Sequence, residues 1–596
     1  MVNGRTGYGS RGERRAGRPG SGHPARGPAD RTDTVVACPR TRPSRCPAAH
    51  PAPRPGPTLR PGRHRRERRH TVTASPTHDT SAAVDRLPRA DFLVIALLLG
   101  SAFVVILNET TMSVALAPLM ADLGITASTG QWLTTAFMLT MAVVIPATGF
   151  LLQRLGTRGA YLLAMSLFSA GTLLAALSPG FAWLLVGRVV QASGTAIMMP
   201  LLMTTIMTLV PPAIRGKVMG NISIVMAAAP ALGPSLSGLI LNSLSWRWVF
   251  GIVLPIGLVA LLLGFLYIRD VADRTHSRLD PFSLVLAAFA FGGLVYGLSS
   301  IGEAARHTPV VPPAVPLALG VLALAAFAWR QIVLQREDRA LLDLRVFTHR
   351  GFSVPLGIMA VGMVAMFGSL ILLPLFLQDA MGLVPLATGL IVLPGGLLMG
   401  LLGPTVGRLY DRVGPRPLVI PGVSVVAVAL AAFTTIHADS SPWFVLALHV
   451  TLSLGLAFMF TPLFTSALSS LEPHQYSHGS ASIGTVQQLA GAAGTAMFVA
   501  VMTSRSIAYG EAGASPRVAL AEGVGDAFVW GTAVMLVAVG LSFLLRRSAP
   551  PAHGHGPAQP GTQDAPVEDA RTGDSRATDA RTADVKVEAA LATDDV

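Results

Sequence analysis

The sequence predicts an all-α membrane protein of about fourteen transmembrane helices, arranged as two six-helix bundles plus two inserted helices. Three observations predict it. Only 13% of the 596 residues are charged and 51% are hydrophobic, against roughly 25% charged in an ordinary soluble domain. Apolar runs of about 20 residues, enough to cross roughly 30 Å of hydrocarbon, recur from Asp91 to Arg547 with short polar breaks. One loop sequence occurs twice, at corresponding places. Lipid must be the solvent of such a chain.

The net charge of +13 belongs largely to the ends of the sequence. Residues 1–90 form a basic tail and 548–596 a polar one, both too poor in apolar residues to bury a core, so both are expected to be disordered. The cluster Arg63 to Arg69 is dense enough to attract phosphate, but anionic headgroups attract juxtamembrane basic residues equally well, and no nucleic-acid partner is expected. The two cysteines, Cys38 and Cys46, lie in the tail, which leaves the membrane part without a disulfide or thiolate metal site. The Arg/Pro-rich start lacks the apolar stretch of a secretory leader, so none is expected and the first helix is expected to be the insertion signal. Met112 is the first methionine after Met1. A start near Val72 would give a shorter tail, and peptides from residues 20–60 in the native protein would exclude it.

In order, the expected spans are 92–120, 131–152, 159–178, 181–209, 217–241 and 246–268, then 282–301 and 313–334, then 352–378, 386–406, 417–436, 442–468, 481–503 and 526–546. These group into an N-terminal bundle over 91–270, an inserted pair within 271–340 and a C-terminal bundle over 341–547. Lys and Arg set the direction. With the N-terminus inside, seventeen of them, from Arg154 and Arg158 to Arg274, Arg278, Arg546 and Arg547, fall on the cytoplasmic side, against Arg247, Arg306, Arg505 and Arg517 outside. Both termini are therefore expected in the cytoplasm, and the protein in the cytoplasmic membrane as a multi-pass chain.

After the second span comes Gly149-Phe-Leu-Leu-Gln153-Arg154-Leu-Gly156-Thr-Arg158, and after the tenth Gly407-Arg-Leu-Tyr-Asp411-Arg412-Val-Gly414-Pro-Arg416. The separation corresponds to about eight helices, which is what two related halves flanking an inserted pair require. By itself each loop could be a tight glycine turn with snorkelling arginines.

The first span holds Asn108-Glu109-Thr110-Thr111, and Glu109 is the acid nearest the middle of any N-terminal span. Burial and a nearby arginine act oppositely on a carboxyl, so such a group can be tuned to exchange a proton. A structural carboxylate bonding neighbouring hydroxyls is the other reading. The fourth span holds Arg188, seven residues inside Phe181 and about 10 Å deep at 1.5 Å per residue. A charge there is costly unless it faces a cavity or partner, or snorkels outward. Gln191 shares its face. The fifth span has Pro230, Gly233, Pro234 and Gly238, which would bend the helix and admit a neighbouring backbone. Trp246 and Trp248 read as interfacial anchors. No phosphate-binding Gly-x-x-x-x-Gly-Lys loop occurs, and His553 and His555 are too loose for a metal site, so neither ATP coupling nor a metal or other cofactor is expected.

Taken together these motifs resemble the fourteen-helix drug:proton antiporter branch of the major facilitator superfamily, over Asp91 to Arg547. The resemblance implies a proton-coupled multidrug efflux antiporter rather than an enzyme, exporting lipophilic compounds by alternating access and working as a monomer in the lipid bilayer. A dedicated exporter of one metabolite or antibiotic is the alternative within transport, and a non-transporting membrane sensor the alternative outside it. The duplicated loop would be the cytoplasmic gate, with Gln153 where the family usually has an acid and Asp411 retaining it. Glu109, Arg188 and Gln191 would couple protons, with Asn108 standing where an acid is usual. The proline-glycine stretch of the fifth span would be the antiporter motif, with Ser237 in place of a glycine. Pro374 to Gln378 and Gly389 to Gly396 fit the ninth and tenth helices. Asn108, Thr110, Gln378 and Gln487 are the expected polar groups of the substrate cavity.

Overall fold

A computed structural model describes residues 88–271, 280–304, 311–337 and 339–545. The basic cluster of the tail, both cysteines, Arg274, Arg278, Arg306, Arg546, Arg547, His553 and His555 lie outside the described residues. Among the described residues all regular structure is helical: α1 (Arg89–Leu123), α2 (Ala127–Ala176), α3 (Phe181–Leu209), α4 (Arg215–Ser243), α5 (Arg247–Tyr267), α6 (Pro281–Ala287), α7 (Gly293–Ala304), α8 (Ala314–Leu334), α9 (Arg350–Leu375), α10 (Pro385–Val413), α11 (Arg416–Phe433), α12 (Pro442–Ser469), α13 (Tyr476–Glu511) and α14 (Pro516–Ser542). A π-helical turn, Ala288–Gly292, joins α6 to α7 into one span.

Twelve helices among the described residues are long and apolar enough to cross a membrane. One of them, α2, holds two of the expected spans. It is broken at Gly156, whose φ of 72° and ψ of 178° leave the helical region, a conformation glycine adopts without a Cβ penalty. The fifth expected span is the 29-residue α4, outside those twelve. With the break in α2 and the length of α4, the twelve are roughly consistent with the expected fourteen.

Two boundaries differ most from the sequence reading, both between the last two helices. The last helix begins at Pro516, ten residues before the expected 526, with Ser515 capping the amide of Val518 and proline in the first turn. The preceding helix runs on to Glu511. Charged residues suggested loop here, yet they satisfy one another across the helix pair. Arg505 of α13 donates to Asp526 of α14 at 2.5 Å, and the Tyr509 hydroxyl donates to the same carboxylate at 3.1 Å. Trp246 also departs from expectation. It is buried, and its indole N–H donates to Asp122 at 2.9 Å, where Arg247 joins it at 3.0 Å; Trp248 is the exposed one.

In the first half α2 packs on α3 and α5, and α1 on α4 and α5. In the second, α11 packs on α12 and α14, and α13 on α9 and α14. Two seams join the halves, α4 against α10 and α2 against α13. The inserted span α6–α7 packs on α8 and against both members of the second seam. Asp280 caps α6 and receives both the Nε and an Nη of Arg330 from α8, at 2.6 and 2.9 Å. That bidentate guanidinium, with the Ser283 hydroxyl and amide, holds the Asp280 carboxyl well below the usual carboxylate range.

Candidate functional site

The centre of the first half is built by close helix approach. At Gly187 of α3 an added Cβ would meet the Ala175 amide nitrogen at 2.9 Å, and at Gly171 of α2 it would overlap the Gln191 backbone. Small residues thus let α3 sit directly on the second arm of α2, and the polar side chains of α3 are carried into the interior. Arg188 is 1% exposed and Gln191 fully buried. One turn apart, they meet: an Arg188 Nη donates to Gln191 Oε1 at 2.5 Å. Gln191 Nε2 donates on to the Thr172 hydroxyl at 2.8 Å, which donates to the Phe168 carbonyl at 2.6 Å. The guanidinium carbon lies 4.0 Å from the centre of the Phe137 ring. Arg188 does not snorkel, and its Nε has no partner.

Glu109 of α1, half-buried, faces this group. Arg188 acts on its carboxylate electrostatically, without an ion pair within 4 Å. Beside it Asn108 is 1% exposed, and neither its Oδ1 nor its Nδ2 has a partner. A buried amide in that state costs about 1–3 kcal/mol. Thr110, on the next position, turns the other way. Its hydroxyl donates to the Leu107 carbonyl at 3.0 Å and reaches the Ala229 carbonyl of α4 at 3.5 Å. An added Cβ on Gly233 would overlap the Thr110 side chain, so the proline-glycine stretch is where α4 meets α1. Pro230 and Gly238 are exposed, the Ser237 hydroxyl is buried without a partner, and the side chain of Pro234 lies outside the described residues.

The duplicated loops both reach the opposite half. Gln153 Nε2 donates to the His474 carbonyl, just before α13, at 3.0 Å, and Gly149 lies against His478. Asp411 accepts the amides of Gly216 and Lys217, in the first turn of α4, at 2.7 and 2.8 Å. Gly407 packs on the Gly216 backbone, and Gly220 on Gly403. Of the arginines, Arg154 and Arg412 are exposed and Arg416 half-buried. Arg158 stays within its half, its amide donating to Asp270 at 3.0 Å and its guanidinium to the Phe265 carbonyl at 2.9 Å.

Between the halves lies a cavity of about 120 Å³, lined by residues of α3, α4, α9, α10, α12 and α13. Six of its thirteen lining residues are methionines: Met203, Met219, Met226, Met363, Met366 and Met399. Its polar groups are Ser223, Thr461 and Gln487, and the two hydroxyls bond across the halves at 2.8 Å. Among the described residues, no charged one lines it. Of the four polar residues expected in a cavity, only Gln487 is on this wall. Asn108 and Thr110 belong to the α1 cluster, and Gln378 is exposed in the π-helical turn Phe376–Ala380 at the end of α9. The methionine wall and His478 were not anticipated. The one available signal was the richness in methionine, 21 residues, several on facing spans.

A profile of the Major Facilitator Superfamily matches residues 98–495. The lincomycin resistance protein LmrB of Listeria monocytogenes is 39% identical over 460 residues, covering 76% of this chain and 97% of that protein. The multidrug resistance protein B homolog of Mycobacterium tuberculosis is 31% identical over 402 residues, covering 66% and 73%. Among solved structures, the human organic anion transporter MFSD10 superposes with a TM-score of 0.54 at 18% identity, over 76% of this chain and all of that one, which speaks for the fold alone.

Proposed function

The chain belongs to the major facilitator superfamily, and from that premise we propose that it is a multidrug efflux antiporter that exchanges protons for lipophilic compounds by alternating access of its two halves. The observation that carries the reading is the pairing of two unlike sites in one scaffold. One is a Met-walled cavity between the halves. The other is a half-buried carboxyl, Glu109, under the electrostatic influence of a buried guanidinium, Arg188, whose Nε has no partner.

Methionine is unbranched and polarizable, so a wall of six can repack around unrelated apolar shapes. That favours a range of substrates over a single metabolite. The charge change is placed at Glu109. Arginine keeps its proton at any physiological pH, so the Glu109–Arg188 pair is neutral overall when the carboxyl is ionised and carries one positive charge when it is protonated. The Gln191–Thr172 chain holds the guanidinium in place during that change. In this reading residues 91–270 and 341–547 are the moving bundles, the duplicated loops close the cytoplasmic end, both termini are cytoplasmic, and the monomer in the cytoplasmic membrane is the working unit.

The test is a drug-induced pH change in proteoliposomes, across a panel of chemically unrelated lipophilic compounds. Several compounds should move protons, and Glu109→Gln should abolish the signal while the protein still inserts. Proton movement undiminished in that variant would remove Glu109 from the mechanism, and a response to one compound alone would favour the dedicated exporter.

A further inference from the structure

We infer that Gln331 and His478 are positioning residues that key the inserted helix pair to α13, so that the pair travels with the second half and slides over α2 when the seam beside it opens. The inference rests on the alternating-access reading and adds to it a role for the inserted helices.

The polar ties run one way. Gln331 of α8 is fully buried, and its Oε1 accepts the amides of Leu341 at 2.7 Å and Leu342 at 3.3 Å, in the segment that leads into α9. Its Nε2 donates to the Ser283 hydroxyl of α6 at 2.9 Å, so a single side chain ties both inserted helices to that segment. One residue on, the Asp343 amide donates to Nδ1 of the buried His478, in the first turn of α13, at 3.4 Å. Hydrogen bonds have narrow geometry and are lost by displacements of about an ångström. A body tied through three of them in series follows its partner.

Toward α2 the contacts are of another kind. Phe291 and Phe327 share an apolar cluster with Ala142 and Phe150 of α2, which also takes in Ala481 of α13. Gly292 faces Leu139 and Val143, and Tyr296 stacks on Trp132 at 5.9 Å between ring centres. Such surfaces are non-directional and can shift along one another without stranding a polar group. The pair therefore covers the α2–α13 seam while being fixed to one side of it. The α4–α10 seam, by contrast, has glycine backbone pressed on glycine backbone.

The experiment measures distances between spin labels in the full chain, with Cys38 and Cys46 replaced by serine, reconstituted in lipid in acidic and in alkaline buffer. Labels go on Ala213 for the first half, Glu472 for the second and Arg336 for the inserted pair, all exposed. The Ala213–Glu472 and Ala213–Arg336 distances should change together, while Arg336–Glu472 stays fixed. An Arg336 label that keeps its distance to Ala213 and moves against Glu472 overturns the inference and leaves transport standing. No change in Ala213–Glu472 under either condition removes the alternating-access reading and the inference with it. His478→Ala should broaden the Arg336–Glu472 distribution, and His478→Asn, whose Oδ1 can accept the same amide, should narrow it again. A distribution in His478→Ala as narrow as in the parent overturns the role of His478, and Gln331→Leu tests Gln331 by the same reading.

Discussion

The two copies of the duplicated loop make opposite hydrogen bonds to equivalent places. Each turns at a glycine with positive φ, 72° at Gly156 and 77° at Gly414, and each sends its fifth residue across to the start of a helix in the other half. Asp411 accepts two backbone amides from the open N-terminus of α4, where unpaired N–H groups and the helix dipole favour an anion. Gln153 donates one neutral hydrogen bond to the His474 carbonyl. Replacing a carboxylate oxygen by an amide nitrogen thus reverses the direction of the bond and removes its charge. The grip of the loop itself is therefore stronger at the α4–α10 seam than at the α2–α13 seam, where the inserted pair lies and where α13 has a further tie to the first half in the 2.7 Å bond between the Thr204 and Ser480 hydroxyls.

The sharpest way to test that asymmetry is to wedge each seam. A Cβ at position 407 would run into the Gly216 carbonyl, which is backbone and has nowhere to go. At position 149 it would meet His478 Nδ1 at 2.8 Å, a side-chain atom, and His478 Cα at 3.1 Å. Overpacking costs about 1–3 kcal/mol, and roughly 1.4 kcal/mol is tenfold in an equilibrium. With a cysteine at Met226 in the cavity as reporter, Gly407→Ala should raise its labelling by an impermeant reagent from the loop-bearing end by at least about tenfold. Gly149→Ala should raise it less. Equal effects would mean that the two seams are fastened alike.

Next in size is Asp411→Asn. Hydrogen bonds to a charged group contribute about 1.5–3 kcal/mol against about 0.5–1.5 for neutral ones, and at a half-exposed carboxylate the lower end applies. Asparagine can still accept one of the two amides. Labelling at Met226 should then rise about five- to tenfold, with transport falling in parallel. A variant that seals as well as the parent would show that the glycine contact, and not the carboxylate, holds this seam.

How much of this was legible depends on sequence distance. Span length and hydropathy reported the helices, because lipid imposes the same requirement on every one of them. The duplicated loop reported the two-half architecture. Arg188 and Gln191 were legible as a pair because a helix places them on one face. What Gln153 bonds to was not, since its partner is 321 positions away and is a backbone carbonyl, which no side-chain pattern records. Nor were Gln331 and His478, ordinary residues whose meaning lies in which amides reach them. The methionines of the cavity looked like core, as methionines in apolar helices usually are.

The smallest expected effects come from Gln153, and they carry the comparison furthest. Removing its side chain by Gln153→Ala deletes one neutral, solvent-accessible hydrogen bond, about 0.5 kcal/mol at that exposure, so Met226 labelling should rise about twofold. Gln153→Asp should act in the other direction. A carboxylate here cannot bond the His474 carbonyl, but residue 153 meets the start of α13 as Asp411 meets that of α4, and the expected outcome is that it captures the first amides of α13 and slows labelling a few-fold. If the aspartate variant labels as fast as the alanine one, the N-terminus of α13 is closed to an anion. The two seams would then differ in the helix they present as well as in the residue that grips it.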